Sequence, residues 1–355
     1  MTLFEDKTIV VTGGTGSLGK VLVRRLLSGS HGKPRKVIVF SRDEAKQHQM
    51  RLDYQHAQKQ ATDEIIYHNF QRLLEFRIGD VRDYHSVCAT VRNADIVVNA
   101  AALKQVPSCE YFPYEAVQTN VTGAENIVRA IRENALPVQA VVGVSTDKAC
   151  KPVNVMGMTK ALQERIFVSA NITAAGTRFI CVRYGNVLAS RGSVIPLFHD
   201  QIRSGGPVTI TTEEMTRFLL PLERAVDTIC AAIAGAAAGE TYVPKVPASR
   251  MVDVARALIG DRPIEMTVTG IRPGEKVHEI MVSEEEGWRT FARGDYYAIQ
   301  PLLPELAQGA AGETALAREY SSADSLLTLE ETRRLLKTHG LLLAGTSAET
   351  GELLR

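Results

Sequence analysis

The stretch that decides the fold lies near the start of the chain, where residues 7–19 read Lys-Thr-Ile-Val-Val-Thr-Gly-Gly-Thr-Gly-Ser-Leu-Gly. Its first half is a short apolar run typical of a buried strand, and the residues after it show helical apolar spacing as far as Leu26. Between strand and helix, Gly13, Gly16 and Gly19 form a G-x-x-G-x-x-G turn. Such a turn lets the backbone approach a pyrophosphate and points the helix N-terminus at it. The pattern therefore predicts a dinucleotide-binding unit, with a merely structural turn as the alternative.

Outward from this unit, apolar runs and helical patterns alternate along the first half of the chain. We expect strands over residues 7–12, 36–40, 73–78, 96–99, 138–144 and 177–184. A long helix is expected over residues 114–133. Strands and helices that alternate in this way form a parallel sheet with right-handed crossovers. The sequence therefore predicts an α/β fold, a Rossmann-type doubly wound parallel sheet, whose ligands bind beyond the carboxyl ends of the strands.

The chain changes character near residue 186, where the expected strands become shorter and Gly and Pro mark the loops. We assign residues 1–185 to a cofactor-binding domain, to which a helix near 221–260 returns. Residues 186–340 are assigned to a smaller α+β substrate domain. The tail over 341–355 contains Gly, Ser and Thr and is a candidate for disorder.

The composition excludes several classes of protein. A hydrophobic content of 45% and a charged content of 23% suit a globular enzyme, and the net charge of +1 gives no electrostatic reason to expect nucleic acid as a partner. The cysteines are odd in number and contain no C-x-x-C, and the histidines lack metal-ligand spacing, so we expect a cytoplasmic protein without a metal site. Neither a signal-peptide pattern nor an apolar run of membrane-spanning length is present, so no membrane span is expected.

The residues after the second expected strand bear on which dinucleotide is bound. An NAD enzyme usually has a carboxylate here, which bonds the ribose hydroxyls. In this chain Ser41 occupies that place, with Arg42 next and Lys46 one helical turn further on. Because Arg42 can clamp a 2′-phosphate and Lys46 adds charge, the sequence favours NADP over NAD. Local pairing of these cations with Asp43 and Glu44 is the alternative.

Residues 145–160, which follow the fifth expected strand, hold the candidates for chemistry. They open a helix in which Met156 and Lys160 share one face. In short-chain dehydrogenases that face carries Tyr-x-x-x-Lys with the Tyr as acid and base, but a thioether cannot move a proton. Asp147 and Lys148, at the end of the strand, are therefore the candidate acid and base. A loop ion pair is the alternative interpretation.

Other positions point to ligand contacts. Asp80 follows the third strand, where it would lie by the adenine, and the small residues at 100–102 after the fourth strand suit close approach of a cofactor. In the second part of the chain, Arg191, Arg217 and Arg272 sit on or beside loops, as expected of residues that grip a diphosphate. Solvated surface arginines are the alternative.

Several motifs stand in order along the chain and carry a resemblance. They cover residues 12–20, 41–44, 101–107, 145–149, 183–187, 190–196, 215–218 and 272–276. Together they resemble the UDP-N-acetylglucosamine 4,6-dehydratases of bacterial polysaccharide and flagellin-sugar biosynthesis, in the extended short-chain dehydrogenase superfamily. The resemblance extends over residues 5–338 and is most specific at Thr-Asp-Lys-Ala and Arg-Pro-Gly-Glu-Lys. It covers the soluble catalytic part of relatives that are in some cases membrane-anchored, and similar dehydratases of capsule synthesis also carry Met where this chain has Met156.

The resemblance implies a reaction without net oxidation. Sugar carbon 4 is oxidised transiently, water leaves across carbons 5 and 6, and the hydride returns to carbon 6, which gives a UDP-4-keto-6-deoxy-N-acetylhexosamine. Asp147 resembles the acid that protonates the leaving hydroxyl, Lys148 the base that removes the carbon 5 proton, and Lys160 the lysine on the nicotinamide ribose. The pKa of the acid should then be raised and that of the base lowered. Inversion at carbon 5 is the favoured outcome.

The resemblance and the patterns above together give a set of candidate residues. The catalytic candidates are Thr146, Asp147, Lys148, Met156 and Lys160. The cofactor-binding candidates are Gly13, Thr15, Gly16, Ser17, Leu18, Gly19, Ser41, Arg42, Lys46, Asp80, Val81, Ala100, Ala101, Ala102, Asn120, Ser145, Lys160 and Val187. The substrate-binding candidates are Lys104, Tyr184, Asn186, Arg191, Thr216, Arg217, Arg272 and Glu275. The expected partners are NADP, a UDP-sugar and further copies of the chain in a homo-oligomer.

Two other functions remain open. A UDP-sugar 4-epimerase on the same scaffold would share cofactor and substrate, but it needs no Asp-Lys pair and normally needs the Tyr. A non-catalytic NADP-sensing protein would have lost the Tyr, but it has no need of Asp147, Lys148 and Lys160 together.

Overall fold

The structure of the protein is a computed structural model that describes residues 2–56, 64–188, 193–306 and 314–343. Its β-strands are β1 (Thr8–Thr12), β2 (Lys36–Ser41), β3 (Leu74–Ile78), β4 (Ile96–Asn99), β5 (Ala140–Thr146), β6 (Arg178–Tyr184), β7 (Val208–Ile210), β8 (Thr216–Phe218), β9 (Thr241–Pro244), β10 (Ala248–Arg250), β11 (Met266–Val268), β12 (Ile280–Val282), β13 (Thr290–Arg293), β14 (Tyr296–Ile299) and β15 (Tyr320–Ser321). Its α-helices are α1 (Ser17–Leu27), α2 (Glu44–His56), α3 (Glu64–Leu73), α4 (Tyr84–Val91), α5 (Val106–Tyr111), α6 (Pro113–Ala116), α7 (Gly123–Glu133), α8 (Val155–Thr173), α9 (Val194–Arg203), α10 (Leu222–Gly235), α11 (Met251–Ile259), α12 (Glu284–Gly287) and α13 (Leu329–Thr338).

A nine-stranded sheet, in the order β13-β14-β9-β6-β5-β4-β1-β2-β3, forms the centre of the molecule. From β9 to β3 all neighbouring strands run parallel. The antiparallel hairpin β13–β14 closes one edge against β9. A mostly parallel sheet with helices on its faces is the Rossmann-type architecture that the sequence predicts, so the predicted fold is confirmed. The carboxyl ends of β1, β4, β5 and β6 lie near the middle of this sheet.

Strand β1 shows why these residues form a central parallel strand, since every one of its residues is buried. On one face, Val11 belongs to a cluster with Leu22 of α1. On the other face, Val10 packs in a cluster with Ile127 of α7. A strand covered on both faces needs a near-continuous apolar run, which the opening stretch supplies. Each fully buried Val or Leu side chain contributes roughly 1.5–3 kcal/mol to the free energy of unfolding.

The chain beyond residue 186 contributes to two parts of the molecule. Strand β9 and the hairpin β13–β14 complete the main sheet, and α10 packs on α1. The strand pairs β7–β11, β8–β10 and β12–β15 and a separate apolar cluster of α9, α11 and α13 form the rest. The domain boundary at residue 186 stays a prediction. The structure adds that strands from beyond this boundary return to the main sheet. Leu341 packs into the cluster of the three helices, and residues 344–355 of the expected tail lie outside the described residues.

The long helix expected over 114–133 contains a wider turn. Helix α6 continues into a π-helical segment, Val117–Thr122, which leads into α7. Such segments insert an extra residue into a helix and are frequent at functional sites. Here the wide turn holds Asn120, which is fully buried.

Among the helices in the described ranges, none combines the length and the apolar character needed to cross a membrane. The same ranges contain no cluster of three or more His, Cys, Asp and Glu side chains that could hold a metal ion.

Candidate active site at the carboxyl edge of the sheet

The glycine turn after β1 brings the backbone close to neighbouring segments. Gly13 has a φ of +66°, and a Cβ there would lie 2.8 Å from the backbone nitrogen of Ala101, in the loop after β4. A Cβ on Gly19 would lie 2.5 Å from the Gly14 Cα, so α1 packs directly on the turn. Helix α1 begins with Gly16 as its N-cap, and this glycine has no side chain to offer to the first N–H groups of the helix. These features fit the diphosphate of a nicotinamide dinucleotide, which accepts such hydrogen bonds.

The residues after β2 and β3 form a small charged network. Arg42 Nη1 lies 3.6 Å from Asp80 Oδ2, and Arg82 holds the same oxygen at 2.8 Å. Although burial opposes the effect, the hydrogen bonds of Arg82 and the charge of Arg42 lower the pKa of Asp80. Lys46 pairs with Asp43, one of the local pairings that the sequence left open. The roles of Arg42, Lys46 and Asp80 toward a cofactor stay predictions.

Hydroxyl groups and backbone hydrogen bonds connect the glycine turn to the end of β2 and to the loop after β4. Thr15 Oγ1 lies 3.1 Å from Ser41 Oγ, which joins the glycine turn to the end of β2. The Ala101 backbone N–H donates to Thr12 Oγ1 at 3.2 Å, which fixes the small residues after β4 beside the turn. Val81, a candidate cofactor contact, is buried, and its role toward a cofactor stays a prediction.

Asn120 fixes the loop after β4 against α8. Its Oδ1 accepts from the Leu103 backbone N–H at 2.9 Å, and its Nδ2 donates to the Leu103 carbonyl at 2.9 Å and to Thr159 Oγ1 at 3.0 Å. Because both ends of the amide are used by protein groups, Asn120 acts in this structure as a positioning residue for that loop.

Met156 lies at the start of α8, where Asn154 caps the helix by accepting from the Gly157 N–H at 2.8 Å. The Met156 side chain is buried and packs with Cys109 and Ala116. It offers no group that could donate or accept a proton, so the usual acid and base of this helix face is missing.

Lys160, one turn further along α8, is held by the end of β5. Its Nζ donates to the Val144 carbonyl at 2.5 Å and to Gln163 Oε1 at 2.7 Å, and burial lowers its pKa to about 8. An ammonium has three donors, so one remains for a ligand. The neighbouring Ser145 Oγ is buried and has no hydrogen-bond partner among the described residues. Contact of Lys160 and Ser145 with a cofactor stays a prediction.

Asp147 and Lys148 follow β5 in a single 3₁₀ turn, Asp147–Ala149. Lys148 Nζ donates to Asp147 Oδ1 at 3.2 Å, to Asn186 Oδ1 at 3.3 Å and to Glu279 Oε1 at 3.0 Å. The Thr146 hydroxyl donates to Asp147 Oδ1 at 2.8 Å. The ammonium is therefore shared between two carboxylates and an amide oxygen at the carboxyl ends of β5 and β6.

The second oxygen of Asp147 has a different environment. Asp147 is 0% exposed, and its Oδ2 has no hydrogen-bond partner among the described residues. A Cβ on Gly185 would lie 3.1 Å from this oxygen and 2.7 Å from the Phe218 Cβ, so the glycine leaves room for the carboxyl. Asp147 Oδ2 is thus a buried carboxyl oxygen without a hydrogen bond from the part of the chain that the structure describes, and its role in proton transfer stays a prediction.

The pKa values of the three ionisable groups of this centre, Asp147, Lys148 and Glu279, are shifted in different directions. Burial raises the pKa of Asp147, and the charge of Glu279 adds to the effect against the opposing charge of Lys148. Although burial opposes it, the charges of Asp147 and Glu279 raise the pKa of Lys148. Although burial opposes it, the charges of Lys148 and Arg217 lower the pKa of Glu279. The raised pKa expected of Asp147 is confirmed. The lowered pKa expected of Lys148 is wrong, because the charges of Asp147 and Glu279 together outweigh the effect of burial.

Glu279 lies just beyond the Arg-Pro-Gly-Glu-Lys motif, four residues after the candidate Glu275. Only its position near that motif could have drawn attention to it, since no spacing in the sequence brings it to Lys148. The Glu275 Oε2 atom is buried without a hydrogen-bond partner among the described residues, and the Arg272 side chain is exposed. Both stay candidate substrate contacts, and Arg191 lies outside the described residues.

Arg217 and Thr216 of β8 form part of the wall beside this centre. The Arg217 guanidinium donates to the carbonyls of Thr216, Lys276 and Val277 at 2.7, 3.0 and 3.0 Å. Thr216 Oγ1 lies 2.9 Å from His278 Nδ1. Both side chains hold the segment that leads to β12, and their contact with a substrate stays a prediction.

The remaining substrate candidates surround the same edge. Desolvation lowers the pKa of the Lys104 ammonium, although the residue as a whole is exposed. The Tyr184 hydroxyl is buried without a hydrogen-bond partner among the described residues, and burial raises its pKa. A small cleft adjoins the centre, and its lining includes Asn186, Val187 and Arg217.

The fold and these side chains define a Rossmann-fold protein of the short-chain dehydrogenase type in which Met156 stands at the usual Tyr position. The family described as polysaccharide biosynthesis protein matches residues 9–301, and the chain belongs to that family. A UDP-glucose 4-epimerase of Rickettsia conorii is 42% identical over 347 residues, which cover 95% of this chain and 97% of the relative. An inverting UDP-N-acetylglucosamine 4,6-dehydratase of Campylobacter jejuni is 40% identical over 304 residues, which cover 85% of each chain.

A solved structure shares the whole architecture. The X-ray structure of Pen from Bacillus thuringiensis has a TM-score of 0.84 and 34% sequence identity, and the match covers 96% of this chain and 99% of that chain. The resemblance drawn from the motifs is confirmed at the level of the family. Because the two relatives are named for different reactions, the choice between dehydration and epimerisation depends on the side chains of the site.

Proposed function

We propose that the protein is a nicotinamide-dependent 4,6-dehydratase that converts UDP-N-acetylglucosamine to a UDP-4-keto-6-deoxy-N-acetylhexosamine, with inversion at carbon 5. The observation that carries the proposal is the pair of buried Asp147 and partly buried Lys148 at the end of β5, beside a helix face where Met156 replaces a proton-carrying Tyr. The Campylobacter jejuni relative of 40% identity, named for this reaction, supports it.

The glycine turn and the N-terminus of α1 would hold the dinucleotide diphosphate, and Lys160 would hold the ribose nearest the nicotinamide. The bound dinucleotide would supply transient oxidation of sugar carbon 4 and reduction of carbon 6. We favour NADP, because the half-exposed Arg42 pairs with Asp80 at a distance of 3.6 Å, and a 2′-phosphate offers it a stronger bidentate contact.

Lys148 acts on carbon 5. A ketone at carbon 4 makes the carbon 5 proton acidic, and Lys148 in its neutral form takes that proton. Since two carboxylates raise the pKa of Lys148, the ammonium must first lose a proton, so the rate should rise with pH over the range in which Asp147 still holds its proton.

Asp147 acts on carbon 6. Its raised pKa keeps a proton available, and delivery of that proton to the carbon 6 hydroxyl lets water leave. Over one turnover the proton released from the carbon 4 hydroxyl balances the one delivered at carbon 6. The proton that Lys148 takes from carbon 5 passes to solvent, and solvent supplies a proton to the opposite face of carbon 5, so the configuration inverts and the enzyme ends each cycle unchanged. Thr146, which donates to the other Asp147 oxygen, orients the carboxyl.

A 4-epimerase is the second candidate, because the Rickettsia conorii relative of 42% identity is named as one. The products of the two reactions differ in mass. Incubation with NADP and UDP-N-acetylglucosamine should give a product lighter by two hydrogens and one oxygen. A product of unchanged mass in which carbon 4 is inverted would replace dehydration by epimerisation, and the absence of any product would favour a sensing protein.

A further inference from the structure

Glu279 is the residue of this centre that neither the motifs nor the proposed proton transfers use. It lies immediately before β12, is 1% exposed, and its Oε1 is 3.0 Å from Lys148 Nζ. Its backbone is clamped on both sides by Ser322, whose Oγ accepts from the Glu279 N–H at 2.9 Å and whose N–H donates to the Glu279 carbonyl at 2.8 Å. The fixed backbone therefore holds the Glu279 carboxylate beside the Lys148 ammonium.

The charges around Lys148 come from several elements. Asp147 shares its turn, Glu279 precedes β12, and Arg217 of β8 lies with its Nε 3.7 Å from Glu279 Oε1. Lys276, from the loop before Glu279, adds a further positive charge. When Asp147 carries its proton, Glu279 is the carboxylate that still balances the ammonium. A buried ammonium without a carboxylate would be costly.

We propose that Glu279 is a positioning residue that fixes the place and the charge state of Lys148, which leaves Asp147 free to hold and release a proton. Two carboxylates bound to one ammonium thereby take different roles. Asp147 is the acid, and Glu279 stays ionised throughout. This inference deepens the proposed function and rests on it for the kinetic part of the test.

The first measurement does not depend on activity. Lys148 has a side chain that is 20% exposed, so its reaction with acetic anhydride can be followed over a pH series by peptide mass spectrometry on the full chain. In Glu279→Gln the negative charge beside the ammonium is gone, so the acetylation profile of Lys148 should move to lower pH. Glu279→Asp keeps the charge and should restore most of the wild-type profile.

The second measurement is the pH dependence of dehydration. In Glu279→Gln the limb of kcat/KM that rises with pH should move to lower pH, because a less stabilised ammonium loses its proton more easily. The maximal kcat should fall on the order of a hundredfold, the typical cost of a misplacement of about 1 Å. NADP binding and melting temperature report whether each variant folds.

The matched control is Glu284→Gln, which removes an exposed carboxylate paired with Lys151 at 2.6 Å. Its acetylation profile at Lys148 and its pH–rate profile should be those of the wild type. An unmoved Lys148 profile in folded Glu279→Gln overturns the role of Glu279, even if the wild type dehydrates its substrate. A moved profile in a protein that forms no dehydrated product supports the role of Glu279 and overturns the proposed function alone.

Discussion

Lys276 Nζ donates a hydrogen bond of 2.6 Å to the carbonyl oxygen of Cys150. Beside it, Asn154 Nδ2 donates to the Gly274 carbonyl at 2.7 Å. The loop over residues 272–276 is therefore docked on the segment between β5 and α8. The Arg-Pro-Gly-Glu-Lys loop thus contacts residues that follow the Thr-Asp-Lys-Ala motif, and it supports the segment next to the turn that carries the candidate acid and base.

Replacing Lys276 by Met should loosen this docking. The substitution removes the donor but keeps most of the aliphatic stem, and a hydrogen bond from a charged group contributes about 1.5–3 kcal/mol. We expect a lower melting temperature and a higher apparent Michaelis constant for the UDP-sugar. Lys245→Met is the control, because that ammonium donates to the Gly294 carbonyl at 2.9 Å, at the end of the hairpin β13–β14. The docking role is wrong if both variants keep the wild-type Michaelis constant.

Arg42→Ala should weaken NADP binding selectively. Arg42 Nη1 is 3.6 Å from Asp80 Oδ2 on an exposed side chain, so the guanidinium can turn to a 2′-phosphate, which NAD lacks. Fluorescence titration of both dinucleotides should show a loss of affinity for NADP and little change for NAD. Arg35→Ala, which breaks an exposed pair with Asp95, serves as the control. Equal losses for the two dinucleotides, or a native preference for NAD, would contradict this assignment.

The parts of the molecule that the sequence predicts are those that local pattern determines. Strand β1 is buried on both faces, so its apolar run and the glycine turn after it are enough to place it. Asp147 and Lys148 follow β5 directly, and the geometry of parallel sheets brings them to the carboxyl edge. Glu279 reaches Lys148 only through tertiary packing, so its share in raising the pKa of Lys148, beside the larger effect of Asp147, could not be inferred from the sequence. The contacts of Arg217 could not be predicted for the same reason. The sequence shows its charge, but it does not show that backbone carbonyls hold its guanidinium.

Protonation of Glu286, which forms a buried ion pair with Arg183, should lower the free energy of unfolding in acid. Arg183 donates to Glu164 at 2.6 Å and to Glu286 at 2.7 Å in the interior. Although burial opposes the effect, Arg183 lowers the pKa of Glu286 from 4.5 to about 2. A carboxyl with a lowered folded pKa stabilises the protein fully above its unfolded pKa, and this stabilisation is lost as the pH falls toward the folded value. The loss should be on the order of 3 kcal/mol.

Urea unfolding over a pH series from neutral to acid measures this loss. In Glu286→Gln the free energy of unfolding should be lower at neutral pH and should depend less on pH below about 5. Glu284→Gln, which changes an exposed carboxylate, should keep the wild-type slope. A Glu286→Gln protein with the full wild-type slope would show that the acid sensitivity arises elsewhere.

Met156→Leu should keep substantial activity. Met156 packs with Cys109 and Ala116 in a buried apolar cluster, and exchange of Met for Leu conserves volume, which usually costs less than about 1.5 kcal/mol. The melting temperature and the dehydration rate should therefore stay close to those of the wild type. A variant that folds normally yet is as inactive as Lys148→Ala would give the thioether a chemical role that packing does not explain.

Exchange with solvent deuterium separates the roles of Lys148 and Asp147. Wild-type enzyme turning over in heavy water should place deuterium on carbon 5 of the product, because the proton taken by Lys148 exchanges before carbon 5 is protonated again. Lys148→Ala should form neither the product nor an exchanged carbon 5, with a rate about two to four orders of magnitude lower, as is typical for loss of a positioned base. Asp147→Asn keeps the base and lacks the acid, so it should exchange the carbon 5 proton while failing to expel water. Both variants should still bind NADP, which shows that the cofactor site is intact. If Lys148→Ala dehydrates UDP-N-acetylglucosamine at a rate near that of the wild type, the base lies elsewhere and the assignment of proton transfers to this pair is wrong.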